Sequence, residues 1–513
     1  MSLMPKNPIP SLRNILRYSL SGLLFIVGVA SPIAIAQNIV DDPANYTWQA
    51  GAIGHVQRMG AFFDRSKGQQ VTPPVIPAFE IDSDPFGSIA TTQPGGATRT
   101  SQNAFFANLG ANNRTCFTCH EPKTGWTVSA ASVQARFNAS HGSDPIFRLV
   151  DGATCPTDDV STVAAQQKAY SLLLNKGLIR IGLPVPANAE YQILSIDDQY
   201  GCNTNPLTGL TNYGANGPTT GIVSVYRRPL PSTNLGFLTT IMWDGREPSL
   251  TSQAIDATLI HAQANAGPTT AQQQQIVNFE SGIFTAQVQD NSAQNLKALG
   301  AHGGPDALAA LLPGFISGVN DPFGGHFSSQ IFDLFQAWKH ISGGGRVNAA
   351  RQSIARGEDL FNNTQITITG VAGLNDLPGL STFSGFCGTC HDTPDVGNHS
   401  VKLPINIGTA NGGSNNNNPG LDIIGLPVFT LSCAAAHQTY VVTDPGRALI
   451  SGKCADIGKV KGPILRGLAG RAPYFHNGSA ASLLDAVNFY NQRFKIGLTP
   501  AQMSDMAAFL QTL

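Results

Sequence analysis

Cys387-Gly388-Thr389-Cys390-His391 is the stretch that organises the chain, because its pattern occurs a second time at Cys116-Phe117-Thr118-Cys119-His120. A C-x-x-C-H run is the attachment signature of a c-type haem: two thiols on one turn form thioether bonds to the porphyrin, and the next residue places an imidazole under the iron. A zinc or dithiol site is the alternative, but neither requires a histidine directly after the pair. Two such runs among eight cysteines predict two covalently bound c-type haems, with His120 and His391 as proximal ligands.

The first 36 residues have the pattern of a secretory signal peptide. Lys6, Arg13 and Arg17 accompany an apolar run from Leu20 to about Ala30, and Ala34-Ile35-Ala36 is a small-x-small cleavage site. The run is too short for a committed membrane span, although an uncleaved anchor is the alternative. Cleavage after Ala36 removes three positive charges and takes the net charge from −1 to −4, which excludes the basic surface of a nucleic-acid-binding protein. We expect the mature protein in the periplasm.

Four cysteines lie outside the two haem motifs. Export permits disulfides, and we expect Cys155–Cys202 and Cys433–Cys454, each local to one half of the chain, although four cysteines allow three pairings. Charged residues make up only 12% of the chain, which also has 54 glycines and 33 prolines. We therefore expect much of the chain to lie in loops.

These features predict a mainly α fold of two cytochrome c-like haem domains with long loop-rich insertions. The residues between Ser328 and Ile341 predict one apolar face, and Gly343-Gly344-Gly345 marks the boundary between the domains. The predicted divisions are a signal peptide (1–36), an N-terminal extension (37–100), an N-terminal haem domain with an insertion (101–345) and a C-terminal haem domain (346–513).

The last helix is the clearest one in the sequence. Thr499 is its N-cap, Pro500 stands at the first helical position, and Gln502 completes a capping box. Met503 and Met506 lie on its apolar stripe, which predicts core residues rather than iron ligands.

The order of motifs resembles the bacterial di-haem cytochrome c peroxidase superfamily, which includes the MauG-type enzymes. After the first haem motif come Trp243-Asp244-Gly245-Arg246, a G-x-x-L-F segment at Gly357-Glu358-Asp359-Leu360-Phe361, the second haem motif, and Ala472-Pro473-Tyr474-Phe475-His476-Asn477-Gly478 before the terminal helix. The resemblance covers most of residues 100–270 and 346–513. The extension and the insertions have no counterpart in it.

The resemblance implies two unequal haems. The N-terminal haem meets peroxide, the C-terminal haem is six-coordinate and relays electrons, and Trp243 lies between them. Gln253 falls on the family's distal glutamine, and His476 on a histidine near the second haem. Tyr490 falls on that haem's distal ligand, where the peroxidases have methionine and the MauG type has tyrosine. An ordinary packed aromatic is the alternative for Trp243, and a buried core tyrosine for Tyr490.

The chain departs from the family at the distal acid, which would fall at position 263. This chain has Gln263 there, and an amide cannot transfer the proton that cleavage of peroxide requires. General acid–base help is worth about 10²–10⁴-fold. His261, two residues earlier, carries an imidazole that can supply it, and a packed or solvent-facing helix histidine is the alternative.

The sequence thus predicts a periplasmic di-haem c-type oxidoreductase that reduces hydrogen peroxide or uses it to oxidise a partner. We expect electrons to pass by way of Trp243 and a small redox protein to be the donor or acceptor. One calcium ion is a candidate cofactor by resemblance. Two alternatives stay open. One is a di-haem oxygenase of an apolar substrate, like the rubber-cleaving relatives that also lack the distal acid. The other is a plain electron-transfer cytochrome.

Overall fold

The structure, a computed structural model, describes residues 71–203, 221–318, 320–324, 326–377, 379–398, 404–413, 418–434 and 437–513, with four short strands between 49 and 70. The predicted signal peptide lies outside the described residues. Tyr46–Leu513 forms one compact unit, and the predicted division between residues 345 and 346 stays a prediction. Within the described ranges, no helix is both long enough and apolar enough to cross a membrane.

The helices of the described residues are short, apart from one of 18 residues. They are α1 Ala130–Ser140, α2 Val163–Ala169, α3 Ser171–Lys176, α4 Leu250–Ile260, α5 Thr270–Gly282, α6 Pro305–Leu311, α7 Arg346–Asn363, α8 Ala448–Ser451, α9 Leu483–Arg493 and α10 Pro500–Gln511.

Strands make up a large share of the remaining structure. They are β1 Gln49–Ala50, β2 Val56–Gln57, β3 Phe63–Asp64, β4 Gln69–Gln70, β5 Val75–Ile76, β6 Phe79–Asp84, β7 Gly87–Thr92, β8 Thr98–Arg99, β9 Ile179–Val185, β10 Tyr191–Asp197, β11 Gly221–Arg227, β12 Phe284–Asp290, β13 Gln294–Asn295, β14 Ile366–Thr369, β15 Thr382–Gly385, β16 Val428–Cys433 and β17 Gln438–Val442. With 32% helix and 19% strand, the predicted mainly α fold is wrong.

The N-terminal extension contributes to the largest sheet. Its strands β6 and β7 form an antiparallel hairpin, and β7 pairs antiparallel with β12, almost 200 residues later, with Phe284 opposite Thr92. The sheet order is β1-β2-β6-β7-β12-β13. The side chain of Trp126, close to the first haem motif, is anchored on this sheet because its Nε1 donates to Thr91 Oγ1 at 2.9 Å.

Residues 150–235, predicted as a loop-rich insertion, contain three strands. Strands β9 and β11 pair with each other, and β10 pairs antiparallel with β16 from the second half of the chain, Tyr191 opposite Cys433. One buried apolar cluster joins them through Ile193, Val223 and Phe429. The pairing of β10 with β16 has no local signal in the sequence because the two strands lie in different halves of the chain. Both expected disulfides, Cys155–Cys202 and Cys433–Cys454, are present.

The segment from Ser328 to Ile341 has the predicted apolar face but is irregular apart from one short helical turn. Side chains of α7 provide the acceptors that a helix would have supplied from its own backbone. Glu358 accepts from the amide of Leu334 at 2.5 Å, and Asn362 accepts from the amide of Ile331 at 3.0 Å. The apolar side chains are buried without helical hydrogen bonding.

The last two helices agree with the predictions. Ser482 and Asp485 form a capping box on α9, and Thr499 and Gln502 form one on α10. Met506 is 5% exposed in the cluster between α7 and α10, as expected of a core residue. These two helices form one side of the second site described below.

Candidate functional site

Both C-x-x-C-H runs have the same local structure. Each begins on a single short helical turn, Cys116–Thr118 or Cys387–Thr389. The hydroxyl of the threonine at the third position of each run, Thr118 or Thr389, accepts from the amide of the residue before the run, at 3.0 Å and 2.9 Å. The four motif cysteines are free thiols, as thioether attachment requires.

The two motif histidines are also held alike. Nδ1 of His120 lies 2.8 Å from the carbonyl oxygen of Trp126, and Nδ1 of His391 lies 2.9 Å from that of Gly397. Because the carbonyl holds the proton on Nδ1, the lone pair of Nε2 is left for a metal. Burial lowers the pKa of both imidazoles to about 4 against the opposing effect of these hydrogen bonds, so they stay in the neutral, ligating form.

The first motif opens onto a cavity of about 1440 Å³, open space at its mouth included. One face of α4 lines it. Gln253 and His261 lie on that face, two helical turns apart, together with Leu250, Ala254, Ala257 and Thr258. Gln263 follows the helix with a positive φ of 54°, and its Oε1 accepts from Asn112 Nδ2 at 3.2 Å. The structure therefore brings Gln253 and His261 together at the first motif, and Gln263 packs beside Asn112.

His261 has a buried partner that sequence analysis missed. Its Nδ1 lies 2.6 Å from Oδ2 of Asp151, whose other oxygen bonds Nη1 of Arg114 at 2.5 Å. Burial raises the pKa of Asp151, but the Arg114 charge and the His261 hydrogen bond outweigh it and lower that pKa to about 2. Asp151 is thus an anion that accepts from Nδ1–H of His261 and fixes which ring nitrogen is free. A separation of 110 residues leaves no local signal for this pair.

The second motif opens onto a cavity of about 1610 Å³, open space at its mouth included, with an apolar lining. Tyr490 reaches it from α9, on the same face as Leu483, Ala486 and Val487, as its position on the helix predicts. The ring stacks on Phe494 with an interplanar angle of 17°. Burial, and secondarily the two motif thiols, raise the pKa of Tyr490. Met506 lines the same cavity from α10.

His476 also lines the second cavity, as the resemblance implies. It is 1% exposed, and neither ring nitrogen has a hydrogen-bond partner among the described residues. The nearest carboxylate oxygen, on Asp444, is 3.7 Å from Nε2. Burial lowers the pKa of His476 to about 4 despite that anion. A neutral imidazole with two unused nitrogens is suited to a hydrogen bond with a bound group.

The two cavities share a wall around Trp243. Trp243, Lys461, Arg228 and Pro229 line both of them. The indole is 8% exposed, its Nε1 donates to the carbonyl of Arg228 at 2.8 Å, and its ring meets that of His476 edge-on at 6.1 Å. The predicted tryptophan therefore lies between the two motif cavities.

Cationic side chains are concentrated at this shared wall. Nζ of Lys461 lies 5.9 Å from the centre of the Trp243 ring, and burial, helped by the charge of Arg471, lowers the pKa of Lys461 to about 7. Burial also lowers the pKa of Arg228 to about 9 and that of Arg471 to about 10. Buried cations are stable when an anion accompanies them, and haem propionates are anions.

The residues present fit a haem in each cavity. Each cavity offers two free thiols, an imidazole with a free Nε2 and an apolar lining, and the cations of the shared wall suit the propionates. Within the described ranges, no group of three or more His, Cys, Asp or Glu side chains is arranged to hold a metal ion. The calcium ion that the resemblance implies as a candidate cofactor stays a prediction.

Fold and site thus describe a chain with two adjoining cavities, each at a C-x-x-C-H motif. The chain is 31% identical over 144 residues to the cytochrome-c peroxidase IdrP2 of Denitromonas iodatirespirans, which is 26% of this chain and 37% of that relative. The predicted resemblance to cytochrome c peroxidases is therefore confirmed, at low identity and over 37% of the relative's length. No family model matches the chain.

A solved structure, that of a MauG-like protein associated with microbial copper homeostasis, overlaps 57% of this chain and 74% of its own. Its sequence identity is 17% and its TM-score 0.30. An overlap of that quality carries no argument about activity.

Proposed function

We propose that the protein is an exported di-haem c-type oxidoreductase that reduces hydrogen peroxide or uses it to oxidise a partner. The observation that carries the proposal is the pair of cavities that meet at Trp243. Each has its own free thiol pair and a histidine anchored through Nδ1. The haems, when bound, supply the redox-active irons.

The chain's own residues supply the proton transfer. Peroxide takes up two protons and two electrons to become two molecules of water. Asp151 accepts from Nδ1–H of His261 at 2.6 Å, so Nε2 is the nitrogen free to take the proton from one peroxide oxygen and return it to the other. Gln253, on the same face of α4, is assigned to orient peroxide by hydrogen bonding.

Trp243 is assigned to electron transfer between the two haems. Its place in the shared wall supports this assignment. Tyr490 would bind the iron of the second haem together with His391, an assignment supported by the burial of Tyr490 in the cavity that His391 also lines. A phenolate stabilises ferric and higher iron states, and axial ligands move haem potentials over roughly 0.8 V. His476 is assigned to hydrogen-bond that haem.

Export to the periplasm is part of the same proposal. The two disulfides support it, because such bonds persist in oxidising compartments. A small redox protein remains the proposed donor or acceptor of electrons.

One observation favours a second candidate, a di-haem oxygenase of an apolar substrate. Beside α4, the first cavity is lined by Leu109, Ile179, Ile181, Leu235 and Leu238, which suits a hydrocarbon as well as it suits a porphyrin. The amide of Gln263 at the family's acid position is also compatible with it.

The test uses full-length protein from a host that matures c-type cytochromes. Denaturing mass spectrometry should show the mass of two haems per chain, and a gain of one or none would reject the proposal. Peroxide-dependent oxidation of a reduced small c-type cytochrome should then be lost in His261→Gln. A stable dioxygen adduct at the first haem, without reaction with peroxide, would favour the oxygenase.

A further inference from the structure

Glu280 is a buried carboxyl group on the wall of the first cavity that the proposed function leaves unused. It lies in the last turn of α5 and is 4% exposed. Its Oε2 has no hydrogen-bond partner among the described residues. Burial raises the pKa of Glu280 to about 7 against the effect of a hydrogen bond with the Ser232 hydroxyl. Buried polar atoms are normally hydrogen-bonded, so an unpartnered carboxyl oxygen in such a place indicates a functional role.

Ser232 connects this carboxyl group to the proximal histidine. The serine Oγ is 3.0 Å from Nδ1 of His120. The serine amide donates at 2.9 Å to the carbonyl oxygen of Trp126, the same atom that accepts from His120. The imidazole N–H is thus shared between the Trp126 carbonyl and the serine hydroxyl. The hydroxyl, as an acceptor from the imidazole, has its own proton left for the hydrogen bond with Glu280.

The second motif has a different arrangement. Both motif histidines bond a backbone carbonyl, but among the described residues Nδ1 of His391 has only the carbonyl oxygen of Gly397, at 2.9 Å, and no second partner like Ser232. A carboxylate behind a ligating imidazole polarises its N–H bond and makes the opposite nitrogen a stronger donor to the metal. A stronger donor favours the ferric state, and hydrogen bonding around the axial ligand is one of the means by which a protein sets haem potential.

We propose that Glu280, acting through Ser232, is a positioning residue that strengthens His120 as an iron ligand and holds the first haem more firmly ferric than it would otherwise be. The inference rests on the proposed function only in requiring a haem at His120. It gives the haem that meets peroxide an electronic environment different from that of the haem at His391.

The test is a redox titration of each haem in full-length holoprotein, with resonance Raman spectra of the ferrous iron–histidine stretch. Glu280→Gln keeps the size and the acceptor oxygen but removes the charge. We expect the ferrous-to-ferric ratio of the first haem to rise about tenfold at a given potential, which is 59 mV for one electron. Its iron–histidine stretch should fall in frequency, while the haem at His391 stays unchanged and serves as an internal reference.

Variants of Ser232 test whether Glu280 acts on His120 through the serine hydroxyl. Ser232→Ala should shift the potential in the same direction, and Ser232→Thr, which keeps the hydroxyl, should restore it. Glu358→Gln is the matched control, because Glu358 is also a buried glutamate whose pKa burial raises to about 7, but it bonds the amides of Leu334 and Phe335. It should leave the first haem unaltered.

Three results would overturn the inference: no shift in Glu280→Gln, equal shifts at both haems, or a shift in Glu280→Gln that Ser232→Ala fails to reproduce. None of these readouts requires turnover. If the protein carries two haems but does not react with peroxide, the peroxidase function is refuted. The redox titrations would still show whether Glu280 acts on His120.

Discussion

Replacing Asp151 with asparagine tests the proton-transfer assignment most specifically. Asparagine keeps the shape and an acceptor oxygen for Nδ1–H of His261, but it removes the negative charge beside Arg114. We expect the ferric protein to react with peroxide about 10–100-fold more slowly, the usual effect of losing a partner that orients a functional histidine. The loss occurs because the amide no longer stabilises the protonated imidazole or fixes its tautomer.

The same substitution has a stability cost that can be worked out separately. The pKa of Asp151 is lowered from 3.8 to about 2 in the fold, and each unit corresponds to about 1.4 kcal/mol. The charge therefore contributes about 2–3 kcal/mol above pH 4, and this contribution is lost as the pH falls toward 2. Leaving Arg114 unpaired brings the expected cost near neutral pH to about 3 kcal/mol. The free energies of unfolding of variant and wild type should converge between pH 4 and 2.

The assay is stopped-flow absorbance of the ferric holoprotein mixed with peroxide, together with denaturant unfolding. Asp144→Asn is the matched control. Asp144 is fully buried and bonds Arg136 at 2.5 Å, so losing its charge should destabilise the fold without slowing the reaction with peroxide. In a His261→Gln background, Asp151→Asn should slow the reaction no further. A wild-type rate for Asp151→Asn, or an equal slowing by Asp144→Asn, would refute the assignment.

Three further expectations follow from the same geometry. Trp243→Phe removes the indole from the wall that both cavities share, so electron transfer between the haems should slow at least tenfold in stopped-flow kinetics; an unchanged rate would make Trp243 a packing residue. Tyr490→Met should raise the potential of the second haem and give the ferrous spectrum of a His–Met haem, whereas no change in either would make Tyr490 a core residue. Cys433→Ser removes the disulfide that joins residues 21 apart and should lower the free energy of unfolding by about 3 kcal/mol. The haem content should stay unchanged, which checks that both sites remain intact.

The features that the sequence predicts correctly are those fixed by residues close together in the chain. The C-x-x-C-H turns need only adjacent residues, and the capping boxes of α9 and α10 need residues three apart. The cavity-facing position of Tyr490 followed from helical spacing within α9. These features are set by steric and hydrogen-bonding rules that act within one or two turns.

The remaining features depend on partners far along the chain. Residues 150–235 have the composition of loops because strand β10 acquires its partner β16 only after folding. The segment from Ser328 to Ile341 has its backbone amides bonded by Glu358 and Asn362, which no pattern within the segment can indicate. Asp151 was missed for the same reason, because it acquires its function from His261 and Arg114.

The central claim is that one chain holds two unequal haems and that the one at His120 is open to peroxide. Low-temperature electron paramagnetic resonance of the ferric holoprotein, recorded with and without one equivalent of peroxide, tests it most directly. We expect one high-spin and one low-spin signal, with the high-spin signal lost on addition of peroxide. Two low-spin signals that peroxide leaves unchanged in both the fully oxidised and the half-reduced protein would contradict it.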